Sequence, residues 1–193
     1  MENSFYSYSE LESMGFISIG KDVSISKKTS IYYPHSISIG NHVRIDDYCI
    51  LSGNIILHDY IHIAAGCYLF AGNAGIEMCD FSGLSSGCVL YAISDSYKGD
   101  SLTNPTVPDK YRNVTGKKII IEKHGLIGTK STLLPGVKIG VGSAVGAMSL
   151  VVGNVKPFSI YFGIPAKKIS ERSNHIIDLE SVLRNESDNL SSS

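Results

Sequence analysis

Large aliphatic residues return at every sixth position over most of this chain, and that period excludes most folds. In the C-terminal half the series runs Ile121, Ile127, Leu133, Ile139, Val145 and Val151. In the N-terminal half it runs Ile39, Ile45, Leu51, Leu57, Ile63 and Leu69, with Ile19, Ile25 and Ile31 before it and Met78, Leu84 and Leu90 after a short break. Two positions before each C-terminal aliphatic lies a residue that is mostly small or β-branched: Ile119, Gly125, Ser131, Val137, Ser143 and Ser149. An amphipathic helix repeats at about 3.6 residues and a plain strand at about 2. Six is a multiple of two, so each hexad reads as a short strand and a turn, and three hexads close a triangular coil. Coils stacked at roughly 4.8 Å bury one aliphatic per hexad in continuous columns. Sandwich strands recur irregularly, at about 8 to 12 residues, and do not give an unbroken six. The expected fold is mainly β: a parallel β-helix with small residues at its corners. Residues beside each inward aliphatic, His62 among them, face outward.

Three segments stand outside the period. Residues 5–15 predict a short helix, with Ser9 as N-cap, Glu12 closing a capping box and Gly15 as the stop. It would cover one end of the stack. Residues 92–118 form a polar insertion, too long to be a plain connection and therefore a candidate for function. Residues 174–186 predict a helix with Ile176, Ile177, Leu179 and Leu183 on one face, followed by an unstructured tail, SDNLSSS. The expected organisation is a cap over 1–16, the β-helix over 17–169 with its insertion at 92–118, and a helix and tail over 170–193.

Composition narrows the function. Seventeen Lys and Arg against eighteen Asp and Glu leave no basic field for nucleic acid or an anionic membrane. A charged content of only 18% suggests that part of the surface is covered by another copy of the chain. Cys49, Cys67, Cys79 and Cys88 form no CxxC pair, so no metal is expected. There is no leader-like N-terminus and no apolar run of membrane length, which predicts a cytoplasmic protein. There is no Walker loop, no GxGxxG between a strand and a helix, and no nucleophile elbow of the GxSxG type. A γ-type carbonic anhydrase would need three clustered histidines on zinc, and His35, His42, His58, His62, His124 and His175 do not show that cluster. The insertion carries the densest polar group, including Ser94, Asp95, Ser96, Tyr97, Asp100 and Asn104. Such residues make turns in a solvated loop. Equally, a carboxylate among them can take a proton from an attacking amine or hydroxyl.

The segment IGTKSTLLPGVKIGVGSAVGAMSLV, followed by YFGIPAKKI, resembles the ending of hexapeptide-repeat sugar acetyltransferases. FYSYSELESMGF, SIYYPHSISIGNHVRIDDYCILSG, YIHIAAGCYLFAG, SDSYKG and LTNPTVP are similar to the dTDP-4-amino-4,6-dideoxyglucose acyltransferases within that class. The resemblance spans roughly residues 5–173. It implies a left-handed helix, a homotrimer with active sites between neighbouring subunits, a nucleotide-sugar acceptor and acetyl-CoA as co-substrate, in the making of bacterial surface polysaccharide. The positions it matches to CoA contacts are Gly128, Thr129, Gly146, Ala147, Pro165 and Lys167. Val152 and Gly153 stand where galactoside-type enzymes carry a Thr-Lys pair. Those O-acetyltransferases place a catalytic His near the start of the loop, where this chain has Asp95. A neutral amine needs less help from a base than a hydroxyl, so Asp95 points to N-transfer. His62 is the other expected catalytic residue, and Tyr97, Asn104 and His124 the expected sugar contacts. The alternatives are an O-acetyltransferase of the galactoside or maltose type, with His62 or His124 as base, and a trimeric scaffold without activity.

Overall fold

The computed structural model describes residues 4–191. The hexads form a left-handed parallel β-helix of about 7 turns. Each aliphatic of the sixfold series lies against its counterpart in the next coil. On face A the inward column is Ile19, Ile39, Leu57, Met78, Ile121 and Ile139. On face B it is Ile25, Ile45, Ile63, Leu84, Ile127, Val145 and Tyr161. On face C it is Ile31, Leu51, Leu69, Leu90, Leu133 and Val151. Away from the first coil and Tyr161, these side chains are buried, and so are the small residues two positions ahead of them in the C-terminal half. At roughly 1.5–3 kcal/mol for each large aliphatic removed from water, the columns supply the main driving force for the fold.

The turns use two devices. Asn41, Asp59 and Asp80 each cap the coil before them. The backbone N–H of Lys21 donates to Asn41 Oδ1 (2.9 Å), that of Asn41 to Asp59 Oδ1 (2.7 Å) and that of Asp59 to Asp80 Oδ1 (3.1 Å). The second device corrects the expectation of small corners. Between faces A and B the left-handed corner position holds His42, Tyr60, Phe81 and His124, with φ of 55°, 59°, 59° and 59°. Their rings stack along the helix at 4.5, 4.6 and 5.1 Å between centroids. A left-handed residue costs about 1–2 kcal/mol. Stacked aromatic pairs return about 0.5–1.5 kcal/mol each beyond their burial. A corner side chain points away from the coil, so size is no obstacle there.

Helix α1 spans Tyr8–Ser13, and its N-cap is Ser7, not Ser9. Glu10 closes the capping box with Ser7, the helix stops at Met14, and Glu10 also pairs with Lys27 at 3.0 Å. This register drives Leu11 into the end of the core, where it is fully buried. At the other end, Ser159–Gly163 and Ala166–Glu171 form an antiparallel hairpin. Helix α2, Ile176–Ser191, then folds back along the corner between faces A and B. The expected loose tail is therefore helical as far as Ser191, and residues 192–193 lie outside the described residues.

The insertion leaves the stack after Tyr91 and returns at Ile119, while Leu90 pairs directly with Leu133 across the gap. The ladder is unbroken, so the extra residues stand out from the helix at one corner. Their base is a short antiparallel pair, Ile93–Asp95 with Val114–Gly116, which sets Asp95 opposite Val114.

Candidate active site

Two depressions collect the expected residues. The first lies on face B, has a volume of about 530 Å³, and is lined by His62, Ser85, His124, Thr129 and Arg172 among others. His62 precedes the inward Ile63 and points out. Its Nε2 lies 2.8 Å from Asp46 Oδ2, and Arg44 Nε donates to the other oxygen of that carboxylate at 2.7 Å. Burial pushes the Asp46 carboxyl up, but the hydrogen bonds from His62 and Arg44 outweigh it and hold the group below its ordinary value. The pairing follows from the register: Ile45 lies beside Ile63, so the residue after one and the residue before the other meet on the outer surface.

His124 is almost buried rather than a surface histidine. It stacks on Phe81, and its Nε2 lies 2.7 Å from Glu180 Oε2 on α2. Lys123 and Arg184 donate to Glu180 Oε1 at 3.0 and 2.6 Å, and Arg184 also reaches Asp80 at 2.9 Å. Burial raises the Glu180 carboxyl, and the hydrogen bonds from Arg184, Lys123 and His124 overcome it, bringing the group down to about 2. A carboxyl lowered on folding stabilises the fold above its unfolded value, and that contribution fades as pH falls through the folded value. The α2 anchor should thus loosen as pH drops from about 4.5 toward 2. Glu180→Gln should mimic this at neutral pH, with amide exchange in α2 rising roughly tenfold or more while the β-helix core keeps its protection. Unchanged exchange in α2 would show that the helix is held by something else.

The second depression is larger, about 790 Å³, and lies between the insertion and the outer surface of face C. Phe70, Tyr91, Thr132 and Leu134 form its wall, and Asp95, Tyr97 and Arg112 enter from the insertion. Phe70 and Tyr91 stack at 5.1 Å. The Asp95 carboxylate receives the Asn104 N–H on Oδ2 at 3.3 Å and stands 3.6 Å, through Oδ1, from Arg112 Nη2. That Oδ1 is buried without a hydrogen bond among the described residues. The Asn104 side chain turns away to Thr106, so this residue acts on Asp95 through its backbone. Tyr97 is 97% exposed at the rim.

The six residues matched to CoA contacts follow one edge of face B. Thr129 and Ala147 are exposed at equivalent places in successive coils, joined through the Met148 N–H donating to the Thr129 carbonyl at 2.7 Å. Gly128 lies so near the next coil that a Cβ there would stand 2.6 Å from Ala147 N. The space above Gly146 is taken by the Phe162 ring. Pro165 and Lys167 are exposed on the C-terminal hairpin, where Lys167 pairs with Phe162.

Within one chain, then, His62, His124 and Thr129 share one depression, and Asp95 and Tyr97 share the other. His58, Glu77 and Cys79 on face A bring three possible metal ligands within 4.8 Å. Glu77 is already engaged there, with Lys118 Nζ at 2.6 Å and His58 Nε2 at 3.0 Å. Those partners, Lys118 foremost, hold its carboxyl below the ordinary range. The group reads as an ion-pair network outside both depressions. Asp46, Ser85, Glu180 and Arg112 escaped the sequence reading.

No family model matches the chain. It is 43% identical over 178 residues, 91% of this chain and 92% of the relative, to the dTDP-4-amino-4,6-dideoxy-D-glucose acyltransferase of Escherichia coli. The chain belongs to this family of hexapeptide-repeat acyltransferases. It is 28% identical to a putative lipopolysaccharide biosynthesis O-acetyl transferase of E. coli strain K12, over 76% of this chain and 74% of that one. Among solved structures, the N-acyltransferase AntD of Bacillus cereus superposes with a TM-score of 0.93 at 48% identity, covering 96% of this chain and 100% of AntD. That structure is of a serine mutant holding dTDP-4-amino-4,6-dideoxyglucose and coenzyme A. AntD with dTDP and 3-hydroxybutyryl-CoA gives a TM-score of 0.94 at 49% identity, covering 96% and 99%. Other AntD structures carry an aspartate changed to alanine or asparagine.

No helix of the described residues is long and apolar enough to cross a membrane.

Proposed function

We propose that this acyltransferase moves an acyl group from coenzyme A to the 4-amino group of dTDP-4-amino-4,6-dideoxyglucose. The observation that carries the reading is Asp95: a buried carboxylate oxygen, without a hydrogen-bond donor among the described residues, in the wall of the larger cavity. An amine supplies the missing N–H. The nitrogen lone pair adds to the thioester carbonyl carbon, the C–S bond breaks, and an amide forms. The proton shed by nitrogen passes to Asp95 and then to the departing sulfur, which leaves as the CoA thiol. The acyl-CoA follows the Thr129–Ala147 edge, with Gly128, Gly146 and Pro165 beside it and Lys167 pairing with a phosphate as a point charge. The serine and the aspartate replaced in AntD stand ten residues apart, as Ser85 and Asp95 do here, which supports a shared pair of site residues.

His62 and Asp95 line different depressions of one chain. In a homotrimer, face B of one subunit meets the insertion of its neighbour, and both belong to one reaction centre with Tyr97, Asn104 and His124 around the sugar. The full exposure of Tyr97 and the low charged fraction support that assembly. The product is an N-acylated nucleotide sugar for surface polysaccharide, made in the cytoplasm where acyl-CoA is found.

The test is thiol release from acetyl-CoA and 3-hydroxybutyryl-CoA. The amino sugar nucleotide should yield one thiol per amide formed. Turnover of a plain galactoside, with none on the amino sugar, would replace this reading by O-transfer from acyl-CoA with His62, paired with Asp46, as the base.

A further inference from the structure

Four side-chain polar atoms are buried without a hydrogen bond among the described residues, and two of them belong to one ion pair in one cavity wall. They are Asp95 Oδ1 and Arg112 Nε. The first is an acceptor and the second a donor. Among the described residues, the guanidinium is committed elsewhere only through Nη1, which donates to Asp109 Oδ1 at 3.1 Å. Its Nη2 stops 3.6 Å from Asp95 Oδ1, beyond hydrogen-bond length, so charge attraction holds the pair while neither bonding capacity is used. The Asp109 tether is itself in water, so it adds little hold. A buried guanidinium N–H and a buried carboxylate oxygen within one ion pair, both unbonded, is an arrangement that folded chains avoid.

We propose that Arg112 is a substrate-contacting, specificity-determining residue: its Nε–H donates to the oxygen of a hydroxyl on the carbon next to the amine, while Asp95 Oδ1 receives the amine N–H. The cavity thus recognises a vicinal amino alcohol. This rests on the reading of the larger cavity as the acceptor site. A fixed donor beside a fixed acceptor matches neighbouring oxygen and nitrogen substituents on one ring, and an amine without that hydroxyl leaves the guanidinium N–H buried and unmet. Sites built to bond a substrate hydroxyl reject analogues that lack it far more strongly than apolar pockets reject a change of size.

The experiment compares two acceptors, dTDP-4-amino-4,6-dideoxyglucose and the same nucleotide sugar lacking the hydroxyl beside the amine. It uses the native enzyme, Arg112→Lys and Arg112→Gln. The native enzyme should prefer the hydroxylated acceptor by roughly ten- to a hundredfold in kcat/KM, mostly through KM. Arg112→Lys keeps a cation beside Asp95 but lacks the Nε fork, and should shrink that preference to about twofold. If both acceptors lose activity equally in the variants and the preference survives, Arg112 only holds Asp95 in place and the proposal falls. Should both variants fail to fold, the native enzyme still decides: no preference for the hydroxylated acceptor overturns the contact. No turnover of either amine by the native enzyme is a separate result, and overturns the acceptor-site reading itself.

Discussion

Asp95→Asn should lower kcat/KM for the amino sugar by roughly a hundredfold or more, the range expected when a group that moves a proton in the transition state is lost. The replacement is isosteric, so the cavity wall and its stack of Phe70 on Tyr91 should stand. The amide still accepts the Asn104 N–H, which leaves the loop tied to its base. What disappears is the negative charge and the oxygen able to hold a proton. The loss should fall mainly on kcat, because the amine has the rest of the cavity for binding, and KM for the acyl-CoA should stay unchanged, because the Thr129–Ala147 edge lies on another part of the surface. Among the described residues Arg112 is left with the exposed Asp109 as its one ionic partner, so a modest fall in thermal stability should accompany the kinetic change. Steady-state kinetics on both substrates measures the split. A variant whose kcat/KM stays within about twofold of the native enzyme would remove Asp95 from the chemistry and move attention to His62 with Asp46.

The legibility of this molecule follows its period. Wherever the hexad runs, sequence and structure correspond residue by residue, because each inward aliphatic leaves its neighbours no choice of side. The column from Ile39 to Ile139 and the outward turn of His62 are examples. The period also contained the Asp46–His62 contact, since residues beside paired aliphatics must meet across coils, and the register alone places them together. Where a local motif had two solutions, the sequence was ambiguous. Ser7 with Glu10 and Ser9 with Glu12 both satisfy a capping box, and burial of Leu11, together with the Glu10–Lys27 pair, decides for the first. The aromatic corner was hidden for another reason. Left-handed backbone is ordinarily the province of glycine and asparagine, yet His42, Tyr60, Phe81 and His124 occupy it, with their rings stacked from coil to coil.

The site itself divides along the same line. The Thr129 and Ala147 edge is periodic and could be read, whereas Arg112 sits in an aperiodic insertion that offers no register to say which charge faces which carboxylate. Glu180 reaches His124 from 56 residues further along the chain, a distance no local pattern spans. Two elements outside the stack add charged groups to what its coils present. The insertion brings Asp95 and Arg112, and α2 presses the Glu180 carboxylate into the corner beside the His62 depression.

Gly53→Ala should be among the most damaging conservative changes in the stack, lowering stability by about 4 kcal/mol or more and the melting temperature by roughly 8–16 °C. Gly53 carries φ +91°, and a Cβ built there would stand 2.4 Å from Gly72 N and 2.5 Å from Gly72 O. Both obstacles are backbone of the next coil, where Gly53 pairs with Gly72. No rotamer change relieves the collision, so the coils must part locally, breaking ladder bonds along the strand Ile50–Leu57. Gly15→Ala separates the two causes. Gly15 has φ +78° with nothing within 4 Å of the added carbon, so it measures the backbone term alone, about 1–2 kcal/mol. The difference between the two melting temperatures is the cost of pushing coils apart, and equal shifts would show that the close approach of Gly53 to Gly72 carries no energy. The damage should not stop at stability. Gly72 lies two residues from Phe70, whose ring helps wall the Asp95 cavity, so a displaced coil moves that wall. Gly53→Ala should accordingly raise KM for the amino sugar even at temperatures where the protein remains folded, whereas Gly15→Ala, at the end of the cap, should leave it unchanged.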